Sequence, residues 1–195
     1  MAHVFLTLRQ TGQAQAVASA AIRGLEQQAA GTPTTETLSL CGAFHLVLAI
    51  AAARDNDRAQ AHEHLDQARK IAKRIGEDRD DFGTEFGPTN VALHAVAVAV
   101  ELGDAGQALD LAHGINAAGL SAERQARYDI DLAQAHAMRR QTGEALRYLE
   151  EAERLTPSGR GRTGPRAVAR ELIQLSGSRP RPELRELAER LGVLP

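Results

Sequence analysis

The feature that most constrains the fold of this 195-residue chain is a helical pattern that recurs along it. Each copy has a turn with Gly or Asp, then an alanine, then small or apolar residues four and seven positions further on. The clearest copies are 8–21 and 139–152, which share Arg-Gln-Thr-Gly, a one-residue step and Ala. The anchor alanines, separated by 47, 47 and 37 residues, are Ala14, Ala61, Ala108 and Ala145. This spacing predicts an amphipathic helix in each copy, and therefore a repeat protein.

A second helix is predicted upstream of each of the last three anchors, because small residues and one histidine recur there at helical spacing. These inward-facing residues are Ala49, Ala52, Val96, Ala99, Ala133 and His136. Alanine is abundant, at 36 of 195 residues, while aromatic residues make up only 3%. That bias favours close-packed helices over a β-sandwich. We therefore predict an all-α fold, a tetratricopeptide-like α-solenoid of antiparallel helix pairs.

The predicted helices fall into three segments. Residues 1–156 carry the tetratricopeptide-like repeats, 157–164 form a flexible linker, and 165–195 form C-terminal capping helices. The helices are predicted at 2–8, 13–29, 36–54, 58–75, 89–102, 105–115, 122–140, 143–155, 166–175 and 182–191. If Ala14 lies in the second helix of a repeat, the first helix should begin before Met1, so the repeat is expected to be truncated or fused to another segment. The alternative is a short cap at residues 1–8.

Charge and cysteine content exclude several classes of protein. The 23 basic and 25 acidic residues leave a net charge of −2, so no chain-wide basic field attracts nucleic acid. The single cysteine, Cys41, cannot form an intramolecular disulfide and indicates a reducing compartment. The most apolar stretches, 43–53 and 91–102, are shorter than the roughly 20 residues of a membrane span. We expect a cytoplasmic protein that does not bind membranes.

A block in the middle of the chain resembles a known family. Residues 84–94 (TEFGPTNVALH), continued by 96–104 (VAVAVELGD), are similar to a recurring block in actinobacterial XRE-type regulators. Further similar pieces are 43–53 with the following Arg-Asp-Asn-Asp turn, 146–155 and 183–193. The resemblance spans nearly the whole chain. It implies the long tetratricopeptide-like domain that follows an N-terminal helix-turn-helix DNA-binding domain in those regulators.

The helix-turn-helix domain itself is not found in this sequence, so we do not expect the chain alone to bind DNA. The resemblance implies a non-catalytic domain that senses a peptide or small metabolite, or forms a homodimer, and relays this to a DNA-binding domain. Two alternatives remain open. One is a stand-alone scaffold or dimerisation protein that binds another protein. The other is a small-molecule enzyme of secondary metabolism, in which His94 and Glu101 would need to converge for acid–base work.

Tetratricopeptide folds bind along the concave surface lined by the first helix of each pair, and the anchor alanines indicate which residues face it. With Phe86 and His94 added from the block above, the candidate ligand or partner groove comprises Leu46, Ile50, Arg54, Phe86, Asn90, Leu93, His94, Ala97, Glu101, Arg127, Ile130, Gln134 and Met138. His3 and Thr7 continue it towards the N-terminus. This mixed apolar surface suits an extended peptide or a small amphipathic molecule. The alternative is that many of these residues pack against neighbouring helices.

Three polar residues after Pro88 have structural interpretations beside the functional one. Thr89 or Asn90 is expected to be the N-cap of the following helix, with ligand contact as the alternative. His94 is expected to be a satisfied core histidine, or else a hydrogen-bonding group in the groove.

A charged residue and two aromatic residues in the same part of the chain also have alternatives. Glu101 lies near a helix C-terminus, where the dipole disfavours an anion, which indicates a partner such as Arg54 or Arg127, or solvent exposure. Phe82 and Phe86 are expected to anchor their loop on the core, with closure over the groove as the alternative.

Three candidate motifs for catalysis or metal binding can be excluded. His62-Glu-His64 is not a zinc motif, because helical residues two apart diverge by about 200°. A lone thiol such as Cys41 in an apolar helix is usually inert. Residues 159–164 (GRGRTG) lack the lysine and the preceding strand of a phosphate-binding loop. We predict no catalytic residues, no metal and no cofactor.

Overall fold

The computed structural model describes residues 10–28, 31–156, 163–177 and 180–194, and its regular secondary structure is entirely helical in these ranges. The all-α prediction is therefore confirmed. The nine α-helices of the described residues are α1 (Thr11–Gln28), α2 (Thr35–Arg54), α3 (Arg58–Ile75), α4 (Pro88–Glu101), α5 (Ala105–Ala112), α6 (Ala122–Met138), α7 (Thr142–Leu155), α8 (Thr163–Ser176) and α9 (Pro182–Arg190). A short 3₁₀ turn, Asp81–Gly83, precedes α4. The helix predicted at 2–8, with His3 and Thr7, lies outside the described residues.

The chain divides into two compact units at the turn between α4 and α5. The described residues up to Leu102 form the first unit, with α1 to α4, and those from Gly103 form the second, with α5 to α9. The predicted linker at 157–164 lies within the second unit, and its first six residues are outside the described ranges. That segment division stays a prediction.

The core of the first unit is built around α2, which packs against α1, α3 and α4. This helix is apolar on nearly every side, so burial in the middle of a unit is the arrangement that hides all of its faces. Eleven of its residues are buried. It is also the one helix in the described part of the chain that is long and apolar enough to cross a membrane, and its burial is typical of the core helix of a soluble protein.

The four anchor alanines are all fully buried, as the repeat pattern predicts. Five positions before three of them the backbone is left-handed, at Asn56, Gly103 and Arg140. At Asn56 and Arg140 the left-handed residue donates its N–H to the carbonyl three residues back. The next residue donates to the carbonyl five residues back, and these bonds measure 2.8 to 3.0 Å. The same helix-ending hydrogen-bond pattern thus recurs with the sequence repeat.

A packing arrangement recurs as well, once in each unit. In the first unit α2 and α3 form a pair, and α4 packs against both members. In the second unit α6 and α7 form a pair, and α8 packs against both members. The core of the second unit centres on Ala145, Leu149, Leu172 and Leu187, which are almost inaccessible to solvent.

The bounds of the described helices agree with the predictions to within three residues. The largest differences are at the start of α8, which begins at Thr163 and not at Arg166, and at the end of α5. The helix was expected to reach Ile115 but ends at Ala112. His113 is extended, and Gly114 has a φ of 83°. Glycine adopts this left-handed backbone without steric cost, so the chain leaves the helix there.

Candidate functional site

The predicted groove residues of the first unit fall into a buried group and a solvent-accessible group. The buried members, which are at most 7% exposed, are Leu46, Ile50, Phe86, Asn90, Leu93 and Ala97. A ligand reaches these side chains only if the unit opens. Any binding role in this unit therefore depends first on the accessible members, Arg54, His94 and Glu101.

Two of the accessible residues form an ion pair that links α2 to α4. The Nε of Arg54 donates to Oε1 of Glu101 at 2.8 Å, and 20% and 28% of the two side chains remain exposed. This confirms the expectation that Glu101 has a basic partner, and identifies it as Arg54. The pair forms a polar, partly exposed patch at the C-terminal ends of both helices.

His94 is partly exposed and bonded to its own helix. Its Nδ1 lies 2.9 Å from the carbonyl oxygen of Asn90, a distance at which a protonated Nδ1 donates to the carbonyl. The Asn90 side chain is buried, and its Oδ1 has no hydrogen-bond partner among the described residues. The backbone of its own helix therefore satisfies the Nδ1 of His94, in keeping with the structural role expected for this residue, although the residue is partly exposed.

The N-terminus of α4 is capped differently from the prediction. The helix begins at Pro88 after Gly87, so neither Thr89 nor Asn90 is the N-cap. Proline suits the first helical position because its missing N–H would have no helical partner there. The carboxylate of Asp78, eleven residues upstream, accepts a hydrogen bond from the Thr89 N–H at 2.9 Å. That cap was missed because it comes from a residue that is distant in sequence.

The loop before α4 is fixed by Arg79. Its guanidinium donates to both carboxylate oxygens of Asp81, at 2.8 and 3.1 Å, and to Glu77 at 3.1 Å. Its backbone N–H donates to the carbonyl of Phe86 at 3.0 Å. The guanidinium lowers the pKa of the Asp81 carboxyl. Arg79 therefore joins the two ends of the loop through side-chain and backbone hydrogen bonds.

The two phenylalanines of this loop behave differently. Phe86 is fully buried and anchors the loop on the core, as expected. Phe82 is 77% exposed, with a φ of 56°, so the expectation that it also anchors the loop is wrong. Because the flanking Asp81 is held by Arg79, the loop presents the Phe82 ring to solvent.

In the second unit, the predicted groove residues form a stripe along α6. Arg127 and Met138 are exposed, while Ile130 and Gln134 between them are half-buried. The amide of Gln134 donates to Glu171 of α8 at 2.7 Å. Arg127 pairs with Asp131 one turn later at 3.4 Å. The two ends of the stripe are therefore accessible, and its centre is in contact with α8.

A carboxyl group beside this stripe, that of Asp129, has a raised pKa. Burial raises the pKa of Asp129 to about 6, and the negative charge of Glu151 on α7 adds to the rise. Arg147 and Arg154 oppose it more weakly. The stripe thus has a neighbouring acid that changes charge close to neutral pH.

We expect Asp129→Asn to flatten the pH dependence of the second unit's stability. Between about pH 4 and pH 6 the folded chain keeps a proton on Asp129 that the unfolded chain has lost, so stability should fall as pH rises through this window. Because the group is only half-buried, the loss should be about 1 kcal/mol. Urea unfolding at a series of pH values measures it. Asp110→Asn, at an exposed position of the same unit, is the control, and identical profiles for wild type and Asp129→Asn would contradict the prediction.

One polar pair was not found by sequence analysis. The Nδ1 atoms of His45 on α2 and His64 on α3 are 3.2 Å apart, and their ring centroids are 5.4 Å apart. Burial lowers the pKa of His45 to about 4, with a further lowering from His64, and burial also lowers the pKa of His64. Both residues lie nine positions from the helix–helix turn, His45 before Arg54 and His64 after Asp55. In an antiparallel helix pair such mirror positions face each other, which is the signal that could have identified them.

Comparison of the chain with protein-family models, with curated proteins and with solved structures finds no match in any of the three.

Proposed function

We propose that this chain is a non-catalytic, tetratricopeptide-like sensing domain that binds a peptide or small metabolite as the effector-binding part of a cytoplasmic transcriptional regulator. The observation that carries the proposal is the repeated packing of a third helix onto both members of a preceding pair, α4 onto α2 and α3 and α8 onto α6 and α7. Stacked helix pairs of this kind are typical of solenoids whose concave surfaces bind partners. The link to a regulator rests on the resemblance of residues 84–104 to XRE-type proteins.

The effector would contact accessible residues of the predicted groove within one unit. The second unit offers Arg127 and Met138 at the two ends of the α6 stripe, and the first unit offers the Arg54–Glu101 pair. A charged group flanked by apolar surface suits a short peptide or an amphipathic metabolite. Regulation requires that the effector bind two states of the domain with different affinity.

Calorimetric titration of a defined peptide and metabolite library against the chain tests the binding role. We expect at least one compound whose affinity falls about tenfold or more in Arg127→Ala, since a hydrogen bond to a charged group contributes roughly 1.5–3 kcal/mol. Arg185→Ala is the matched control, because Arg185 is also an exposed arginine with an acidic partner four residues later on its helix. Equal losses in both variants would indicate a nonspecific charge effect and overturn the groove assignment.

The link to a regulator has a separate test. An immunoblot of source-cell lysate, with antibody raised against this chain, should show a band well above 20.9 kDa, because a regulator would carry a DNA-binding domain as well. A band at 20.9 kDa would instead support the scaffold alternative. The exposed Phe82 favours that alternative, since aromatic side chains are enriched in protein–protein interfaces.

A further inference from the structure

We propose that His45 and His64 form a binding site for a divalent transition-metal ion, of which Zn²⁺ is the test case, between α2 and α3. The two Nδ1 atoms lie 3.2 Å apart. Two nitrogen ligands 2.0–2.1 Å from one tetrahedral Zn²⁺ ion lie about 3.3–3.4 Å apart. The existing separation of the two atoms is therefore close to that of two ligands of one ion.

The ring nitrogens also suit a ligand pair. A metal binds a neutral imidazole through the lone pair of a ring nitrogen. Without an ion, one neutral ring can donate its Nδ1 proton to the other. With an ion, both protons would reside on Nε2, and both Nδ1 lone pairs would face the metal.

Access and surroundings decide what kind of site this is. Both rings are partly exposed, so an ion can enter from solvent without unfolding of the helix pair. No group of three or more His, Cys, Asp or Glu side chains able to hold a metal occurs among the described residues. The protein thus supplies two ligands, and water or a small molecule would complete the coordination shell. Glu63, whose negative charge acts on His64, adds a field that favours a cation.

Imidazole ligands select zinc, copper and nickel over magnesium and calcium, which prefer oxygen. The site would therefore bind ions of the zinc, copper and nickel group and discriminate against Mg²⁺. Because both ligands must be brought together by folding, an ion bound here clamps α2 to α3. It should lower the equilibrium fraction of molecules in which this pair is open, since it binds the folded state and not the unfolded one.

Titration of the untagged, metal-free chain with ZnCl₂ tests this site by two independent readouts. In ¹H–¹⁵N spectra of the imidazoles, we expect Zn²⁺ to shift the Nδ1 signals of His45 and His64 and leave those of His62 and His113 unchanged. In calorimetry, His45→Gln and His64→Gln should each lower Zn²⁺ affinity by about tenfold or more. MgCl₂ should produce neither effect.

His62→Gln is the matched control, because it removes a neighbouring histidine of α3 that is outside the pair. Unshifted His45 and His64 signals in the wild-type chain would overturn the proposal and leave the pair as a hydrogen bond. This readout does not depend on whether either variant folds. Equal loss of affinity in His62→Gln would assign the ion to another site and overturn it as well.

Discussion

Replacing Gly42 with alanine is expected to destabilise the first unit by about 3 kcal/mol, although alanine is the better helix former. Gly42 lies inside α2, directly under the ring of Phe86. A Cβ atom built on Gly42 would lie 2.0 Å from Cζ of that ring and within 2.5 Å of both Cε atoms. Two non-bonded carbon atoms cannot approach this closely, so the ring must leave its position or α2 must shift.

The size of the effect follows from what the ring does. Phe86 is the largest fully buried side chain among the described residues, and loss of a buried phenylalanine from a core typically costs about 3–5 kcal/mol. Partial relaxation of the loop recovers some of this energy, and overpacking typically costs about 1–3 kcal/mol. Hydrogen exchange of the α2 amides reports the change in this unit directly, because the two units need not unfold together.

Gly24→Ala in α1 is the matched control. Gly24 is also a glycine inside a helix, but nothing lies within 4 Å of a Cβ built there. That substitution should stabilise the helix by up to about 1 kcal/mol. The two Gly→Ala changes should therefore have opposite signs, and stabilisation by both would contradict the assigned position of the Phe86 ring.

A double-mutant cycle identifies the atoms responsible. Phe86→Leu removes the ring edge that meets Gly42, so it should cost less in the Gly42→Ala background than in the wild type. We expect a favourable coupling of about 1–2 kcal/mol between the two sites. Additive effects would mean that the cost of Gly42→Ala arises elsewhere in α2.

The helices could be predicted from the sequence because their signals are local. Both ends of α3 were predicted at the residues where the structure has them. Asp57 caps the start of this helix, and Gly76 ends it with a left-handed backbone. The anchor alanines were predicted to be buried because their spacing fixes one face of each helix. Both inferences use residues that lie within one or two helical turns of each other.

The contacts that shape the loop before α4 could not be predicted, because they join residues that are far apart in sequence. Phe86 lies against Gly42, 44 positions earlier, and a glycine gives no periodic signal of what covers it. The exposure of the predicted groove residues could not be predicted for the same reason. Helical spacing predicts which residues share a face of α2 or α4, but whether another helix covers that face depends on the packing of the whole unit.

Replacing Gly87 with alanine is expected to destabilise the same unit by about 2–4 kcal/mol, for a different reason. The Gly87 backbone is extended, with a φ of 171°, which any residue can adopt. The obstacle is space, because a Cβ there would lie 2.4 Å from Cα of Asp78 and 2.8 Å from the carbonyl oxygen of Glu77. Both are backbone atoms, so no change of side-chain rotamer can relieve the contact.

Displacement of the Asp78 backbone would also remove two bonds that position the loop. The Asp78 carboxylate would lose the Thr89 N–H, and the Arg79 N–H would move away from the Phe86 carbonyl. We expect faster hydrogen exchange in the first turn of α4 and a lower urea midpoint. Asp78→Ala separates the two causes, because it removes the cap, at a cost of about 1 kcal/mol, without adding an atom at Gly87. A loss in Gly87→Ala no larger than the loss in Asp78→Ala would mean that the cap alone matters and that the close backbone approach does not.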